Sequence, residues 1–497
     1  MKVCPKSVSL LGAVQAVCPL SSSPCCTALV NSPLLSQLTL PSSPRFQALV
    51  SSHYSTRAQL QPACFLQPES TDQVSQAVHI LTEFDDGSPE CQFAVRSGGH
   101  APWAGAASIQ GGVTIDLSLM NATRYHAHDS TVSIMSGARW ASVYEVLKPL
   151  GVAVTGGRAD TVGVGGLVTG GGMSFFAAQH GFVCDNVLNF EVVLANGTIV
   201  DANPRSHTDL YRALKGGSIN FGIVTEIVLA AFQQGDLWGG VIQHDVEMSP
   251  RLISALVNFT DHVSDDPRAS LVSIWQYSSP QDVRIAASGI QYASPIESPA
   301  IYNAFLQIPQ ISNTTRIADI YDLMMETAPP PGKRALFLTL TFKNNPQVLQ
   351  ELIRIQDIHI ERIKGRVCSK EWDVISFLQP LPQLLGHLSK KNGGNVLGLD
   401  QMEDNHLLYL LFFSWDCPGD DVVIHETGYE MIRQIKTKTM KENASHDFIY
   451  LNYAGQDQDP LGSYGEANVQ LIRAVMKQYD PTGVFQTQVP GGFKAGL

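Results

Sequence analysis

Seventeen residues from Gly156 to Gly172 include eight glycines, and this stretch restricts the fold more than any other. It lacks the Ser/Pro bias of a linker, so its bare backbone is read as packing tightly against something flat or charged, where no Cβ blocks close approach. It does not match either common nucleotide fingerprint. After Gly163 and Gly165 a dinucleotide turn would place its third glycine at Val168, and no Gly-Lys-Ser/Thr ending marks a P-loop. Dinucleotide binding of the NAD type and nucleotide hydrolysis are therefore disfavoured.

A second glycine signal, Arg96-Ser97-Gly98-Gly99-His100, directly follows the apolar residues Phe93 to Val95. Paired glycines let backbone N–H groups turn toward a phosphate. Taken alone, the segment fits a strand-to-loop turn with a solvated histidine equally well. Two further segments belong with these: Phe221-Gly-Ile223-Val-Thr225, and Tyr450-Leu-Asn452-Tyr453 with Tyr479-Asp-Pro481 and Val484-Phe485 behind it.

A chain of 497 residues, 44% of them hydrophobic, can bury more than one layered unit, and two lobes are expected. Thirty-three Lys and Arg against 45 Asp and Glu leave a net charge of −12, which argues against nucleic acid. No apolar run approaches the roughly 20 residues that span a bilayer. Lys2 and Lys6 precede a modestly apolar stretch, Ser7 to Val17, which reads as a weak secretory signal or a disordered leader. Sequons begin at Asn121, Asn196, Asn258, Asn313 and Asn443 and tilt the balance slightly toward a secretory route. Six of nine cysteines precede residue 100, so one or two N-terminal disulfides are expected if the chain is secreted. His126 and His128 have no ligand set beside them, and no metal is expected.

The periodicity favours α/β or α+β, and α+β is the expected class. An extended stretch at Ala63 to Leu66 is followed by a helix over Asp72 to Phe84 and a buried strand at Phe93 to Val95, a βαβ-like rhythm. Short strands follow at 112–117, 132–136, 192–194, 198–200 and 223–230, with helices at 140–150 and 208–214. Residues 236–446 read differently. Longer strands at 270–275, 335–342 and 406–414, with helices at 345–362 and 424–439, suit an antiparallel sheet backed by helices. After Tyr450 the short glycine-rich and aromatic segments return, as expected if the first domain is discontinuous.

Together these motifs resemble the berberine bridge enzyme-like branch of the vanillyl-alcohol-oxidase (PCMH-type) flavoproteins, most of all its fungal secondary-metabolism members. The resemblance covers about 60–232 and 447–490 and is weaker between them. It implies two lobes: a leader and arm at 1–45, an FAD-binding domain at 46–235, a substrate domain at 236–446, and a return to the FAD domain at 447–497. His100 matches the histidine joined to the flavin 8α-methyl group. FAD contact is implied for Arg96, Ser97, Gly98 and Gly99, for Gly157, Arg158, Thr161 and Gly163, for Gly166, Gly170 and Gly171, and for Ile223 and Asn452. Relatives with two links carry a cysteine where this chain has Ala159, so one covalent bond is expected. Leu167 stands where some relatives have a histidine.

Tyr453 matches the tyrosine base of sugar-oxidising relatives, or else forms an aromatic wall. Tyr450 is a second candidate, although in a regular strand it and Tyr453 would face opposite ways. Asn395 could point at substrate from the second lobe, while Asp400 reads as a loop residue. Trp103, Trp140 and Tyr144 read as packing, and Asp185, Asn186 and Asp201 as turn formers. The expected reaction is hydride transfer from a small organic substrate to flavin N5, with dioxygen reoxidising the flavin. Two rivals remain: a carbohydrate oxidase on the same scaffold, and a pericyclase or binding protein with no net redox change.

Overall fold

Strand Cys64–Leu66, helix Thr71–Glu83 and strand Phe93–Arg96 form the first βαβ unit. The helix begins where Ser70 caps it, its side chain accepting from the Gln73 N–H, and its buried stripe is Val74, Ala77, Val78 and Leu81. Val113–Asp116 lies between the two strands and parallel to both. The computed structural model describes residues 23–84, 87–326 and 329–496. The expected leader, Cys4 and Cys18 lie outside that range.

A second, six-stranded sheet is built around the long strand Ile223–Gln233, which pairs antiparallel with Thr131–Met135 and Val187–Val193. The C-terminal segment packs back onto this half of the molecule. The Phe93 N–H donates to the Gln488 carbonyl at 2.7 Å, and Val484, Phe485 and Val489 join the core of the first sheet.

The third sheet has nine strands. Leu237–Asp245, Val283–Tyr292, Ala269–Ser278, Trp372–Leu381, His406–Trp415 and Arg334–Lys343 lie side by side in that order, each antiparallel to its neighbour. Helices Ser249–His262, Pro346–Ile363 and Asp421–Lys441 cover one face, burying a core that includes Leu256, Leu352 and Met431. Three of these strands are absent from the expectations above. Leu237–Asp245 contains Gly239-Gly240, Val283–Tyr292 contains Gly289, and Trp372–Leu381 contains Pro380, all residues that weaken a strand signal.

Disulfides Cys25–Cys91 and Cys26–Cys64 pin the N-terminal arm to the first unit. A third, Cys368–Cys417, joins two loops at one end of the large sheet, and no spacing signal announces it. All five sequon asparagines are exposed. Among the described residues no helix is long and apolar enough to cross a membrane.

One buried ion pair anchors the loop that leaves the first sheet. The Arg96 guanidinium donates from Nε to Asp116 Oδ1 at 3.2 Å and from Nη2 to Oδ2 at 2.7 Å, and from Nη1 to the Leu49 carbonyl at 2.7 Å. Both side chains are almost wholly buried. Removing one partner strands the other charge away from water, so Asp116→Ala should lose about 3–5 kcal/mol of stability. Equilibrium denaturation in urea checks this. A midpoint equal to wild type would show that the pair contributes nothing.

Candidate functional site

The two glycine loops identified in the sequence meet backbone to backbone. A Cβ on Gly98 would lie 2.4 Å from the Gly163 nitrogen, and one on Gly163 would lie 2.2 Å from the Gly98 nitrogen. Neither position can accept a side chain without moving the other loop. Arg139, just before helix Trp140–Leu147, holds both loops. Its Nη1 donates to the Thr161 carbonyl and its Nη2 to the Gly98 carbonyl, each at 3.1 Å. Ser97 Oγ donates to the Ser136 carbonyl at 2.6 Å. Gly99 takes φ +66°, which turns the chain and directs His100 inward.

The His100 ring stacks on Tyr54, with centroids 4.0 Å apart and planes 21° apart, and Phe337 stands 6.3 Å from it. Its Nε2 is shielded from water and has no hydrogen-bond partner. Desolvation, with Arg139 adding to it, lowers the His100 pKa to about 4, so the imidazole is neutral and its nitrogen lone pair is available at neutral pH. Tyr54 is held from both sides: its N–H donates to the Gly99 carbonyl and its carbonyl accepts from the Gly332 N–H, each at 3.0 Å.

These groups line a cavity of about 750 Å³ that runs from Val95, Leu117 and Ile223 past His100 to the open face of the nine-stranded sheet. Ser97, Gly98, Gly99, Arg158, Gly163, Gly166 and Asn452 line it as expected, and so do Ala159, Leu167 and Trp103. At Gly166 the space a side chain would take is open. Ser136, also on the wall, has a buried Oγ with no partner. Polar atoms left unsatisfied around an open glycine cradle suit a large polar cofactor lying along the loops.

Tyr450 and Tyr453 both reach the cavity. The expectation that a strand would send them opposite ways is corrected, because Leu451–Tyr453 is a 3-10 turn, in which residues three apart share a face. Their rings meet edge to face at 4.9 Å. The Tyr453 oxygen accepts from Arg158 Nη2 at 3.0 Å and from Gln379 Nε2 at 3.1 Å, and Arg158 also donates to Gln379 Oε1. Tyr450 is buried, its oxygen accepts from Asn452 Nδ2 at 3.1 Å, and burial, then the neighbouring Tyr453, pushes its pKa up. Burial therefore works against ionisation of Tyr450.

Several assignments are corrected. Asn395 lies off the cavity wall, where its Nδ2 donates to Asp185 Oδ1 at 2.8 Å and to Ser389 Oγ at 3.0 Å. Asp185 is a buried acceptor for Phe182, Ser389 and Asn395 rather than only a turn former. Arg96 lies behind the loop in its ion pair. Gly157 is pressed on Trp140, and Gly170 and Gly171 on the turn that carries Asn452 and Tyr450. The Thr161 carbonyl is used by Arg139. These positions shape the cradle and do not face the cavity. Tyr54, Arg139, Phe337 and Gln379 complete the site although no local motif marks them; the one local feature is that Arg139 directly precedes a helix.

The sequence matches the FAD binding domain family over residues 62–203. It is 41% identical over 471 residues to the FAD-dependent monooxygenase drtC of Aspergillus calidoustus, an alignment covering 95% of this chain and 90% of that one. The fold is similar to that of a single-residue variant of berberine bridge enzyme, with a TM-score of 0.74 at 15% identity over 93% of this chain and 98% of the other. It is also similar to glucooligosaccharide oxidase of Acremonium strictum, described as carrying a 6-S-cysteinyl, 8α-N1-histidyl FAD, with a TM-score of 0.71 at 18% identity over 92% and 97% of the two chains. The cavity, the two glycine loops and this identity over nearly the whole chain lead to one assignment: the protein is an FAD-dependent oxidoreductase that belongs to the family of the fungal FAD-dependent monooxygenases, in a fold similar to that of berberine bridge enzyme.

Proposed function

We propose that this chain oxidises a small organic molecule with an FAD joined covalently through His100, residues 46–235 and 447–497 holding the cofactor and 236–446 the substrate. The observation that carries this reading is the His100 Nε2, buried without a partner on the cavity wall and belonging to a neutral imidazole. Such a nitrogen is a nucleophile ready to add to the activated flavin methyl position. A single link is supported by Ala159 on the wall and by Cys184, the free cysteine among the described residues, which lies off the wall with its thiol pKa pushed up by burial.

When bound, FAD accepts a hydride at N5 and passes the electrons to dioxygen. The protein's part is to hold the substrate O–H or N–H at Tyr453. In its ionised form Tyr453 takes that proton, and Arg158 at 3.0 Å supplies the balancing positive charge. An oxidase of this kind releases one hydrogen peroxide per substrate oxidised, whereas a monooxygenase leaves an atom of dioxygen in its product. Peroxide yield and labelled dioxygen separate the two, and a pericyclase would bleach no flavin with its substrate under nitrogen.

Acid precipitation of the wild-type protein should leave yellow colour in the pellet, and His100→Ala should release it to the supernatant. Release from wild type would overturn the covalent link. A second prediction concerns rate. Tyr453→Phe keeps the ring and its packing but removes the oxygen, so anaerobic flavin reduction by substrate should slow by roughly 10²- to 10⁴-fold. An unchanged rate would leave Tyr453 as a wall only.

A further inference from the structure

The wall of the cavity opposite the loops is one face of the nine-stranded sheet, and strand register decides what that face carries. Phe377 sits between Ile274 and Leu410 across neighbouring strands, and Phe412 sits between Ile375 and Phe337. All six side chains line the cavity. They form two adjacent rows of apolar residues, because alternate residues along each strand face the same side. Phe337 is 6.3 Å from the His100 ring and 5.4 Å from Phe412, so the apolar patch begins beside the flavin attachment residue.

The strands farther from His100 place carboxamides on the same wall: Gln243, Gln276 and Gln291. Gln291 is 1% exposed, and its Oε1 has no hydrogen-bond partner. The charged side chains that line the cavity are already engaged. Glu326 pairs with Arg316, Lys333 with Glu371 and Asp373, and Arg158 serves Tyr453 and Gln379.

We infer that the substrate is a neutral, flat, largely apolar ring compound bearing a hydroxyl on the carbon that is oxidised. Its ring lies against Phe377 and Phe412, its hydroxyl meets Tyr453, and a second donor group reaches Gln291 Oε1. The inference rests on the flavin-dependent oxidation proposed above. In that reaction the carbinol C–H leaves as hydride with its electron pair, the O–H proton leaves to Tyr453, a C=O bond forms, and FAD is reduced by two electrons. A sugar does not suit the two apolar rows that begin beside His100: hydroxyls laid against them would lose water and gain no partner there, the carboxamides standing on the farther strands, and each such loss is costly. A carboxylate does not suit it either, since the one cation beside Tyr453 is committed.

The experiment uses the intact yellow protein and two probes, 2-naphthylmethanol and cellobiose, each titrated while the visible absorbance of the flavin is followed. The naphthyl alcohol should perturb the spectrum at concentrations at least ~100-fold below any effect of cellobiose, in keeping with the apolar area it buries. Phe377→Asn, still yellow after acid precipitation, should weaken the naphthyl response about 10-fold or more. A cellobiose response as strong as the naphthyl one, no naphthyl response in the yellow protein, or an unchanged response in Phe377→Asn would overturn the inference and leave the flavin reading standing. Loss of colour from acid-treated wild-type protein would instead count against the covalent reading beneath it.

Discussion

Two backbones touch at Gly98 and Gly163, with no room for a methyl group between them, and the site is organised around that contact. One loop leaves a parallel strand, and the other, inside the glycine-rich stretch, leads into the short helix Val164–Thr169. Neither would hold its course alone. Their approach lets one guanidinium, Arg139, bond carbonyls on both, and it brings His100 and Arg158 to the same cavity. Behind the first loop, the Arg96–Asp116 pair and the bond of Arg96 to the Leu49 carbonyl bind the strand end to helix Arg45–Ser51. The close contact therefore depends on a rigid support, which a buried bidentate pair provides by limiting the geometries available to it.

Water exclusion sets the chemistry of the two halves of the cavity. Around His100 it keeps the imidazole neutral, and His53 behind the loop is likewise lowered to about 4, chiefly by burial. Around Tyr450 the same effect works against ionisation. Tyr453 differs through its partners, a guanidinium and a carboxamide, both of which can donate to its oxygen. Two tyrosines three residues apart thus have different burial and different neighbours.

Much of the architecture was legible in the sequence. The helix over Thr71–Glu83 follows from its apolar spacing and Ser70 cap, and the strands His406–Trp415 and Arg334–Lys343 from long apolar runs. The two glycine loops were legible because they depend on backbone conformation, which glycine placement encodes locally; the part expected of His100 came from the resemblance. The strands carrying Gly239-Gly240 and Pro380 were not, because packing in a nine-stranded sheet overrides weak local preference.

The sequence by itself determined where the two glycine loops lie and that Ala159 offers no bulky or reactive side chain, since each is a property of one short segment. The tertiary structure alone decided which distant residues complete the site. Gln379 meets Arg158 and Tyr453 across separations of 221 and 74 residues, Tyr54 reaches His100 from the segment after helix Arg45–Ser51, and Asn395 is drawn away by Asp185. The reason is physical: side-chain partnership across sheets is set by register and burial, which are sums over many long-range contacts, and no single segment carries that sum.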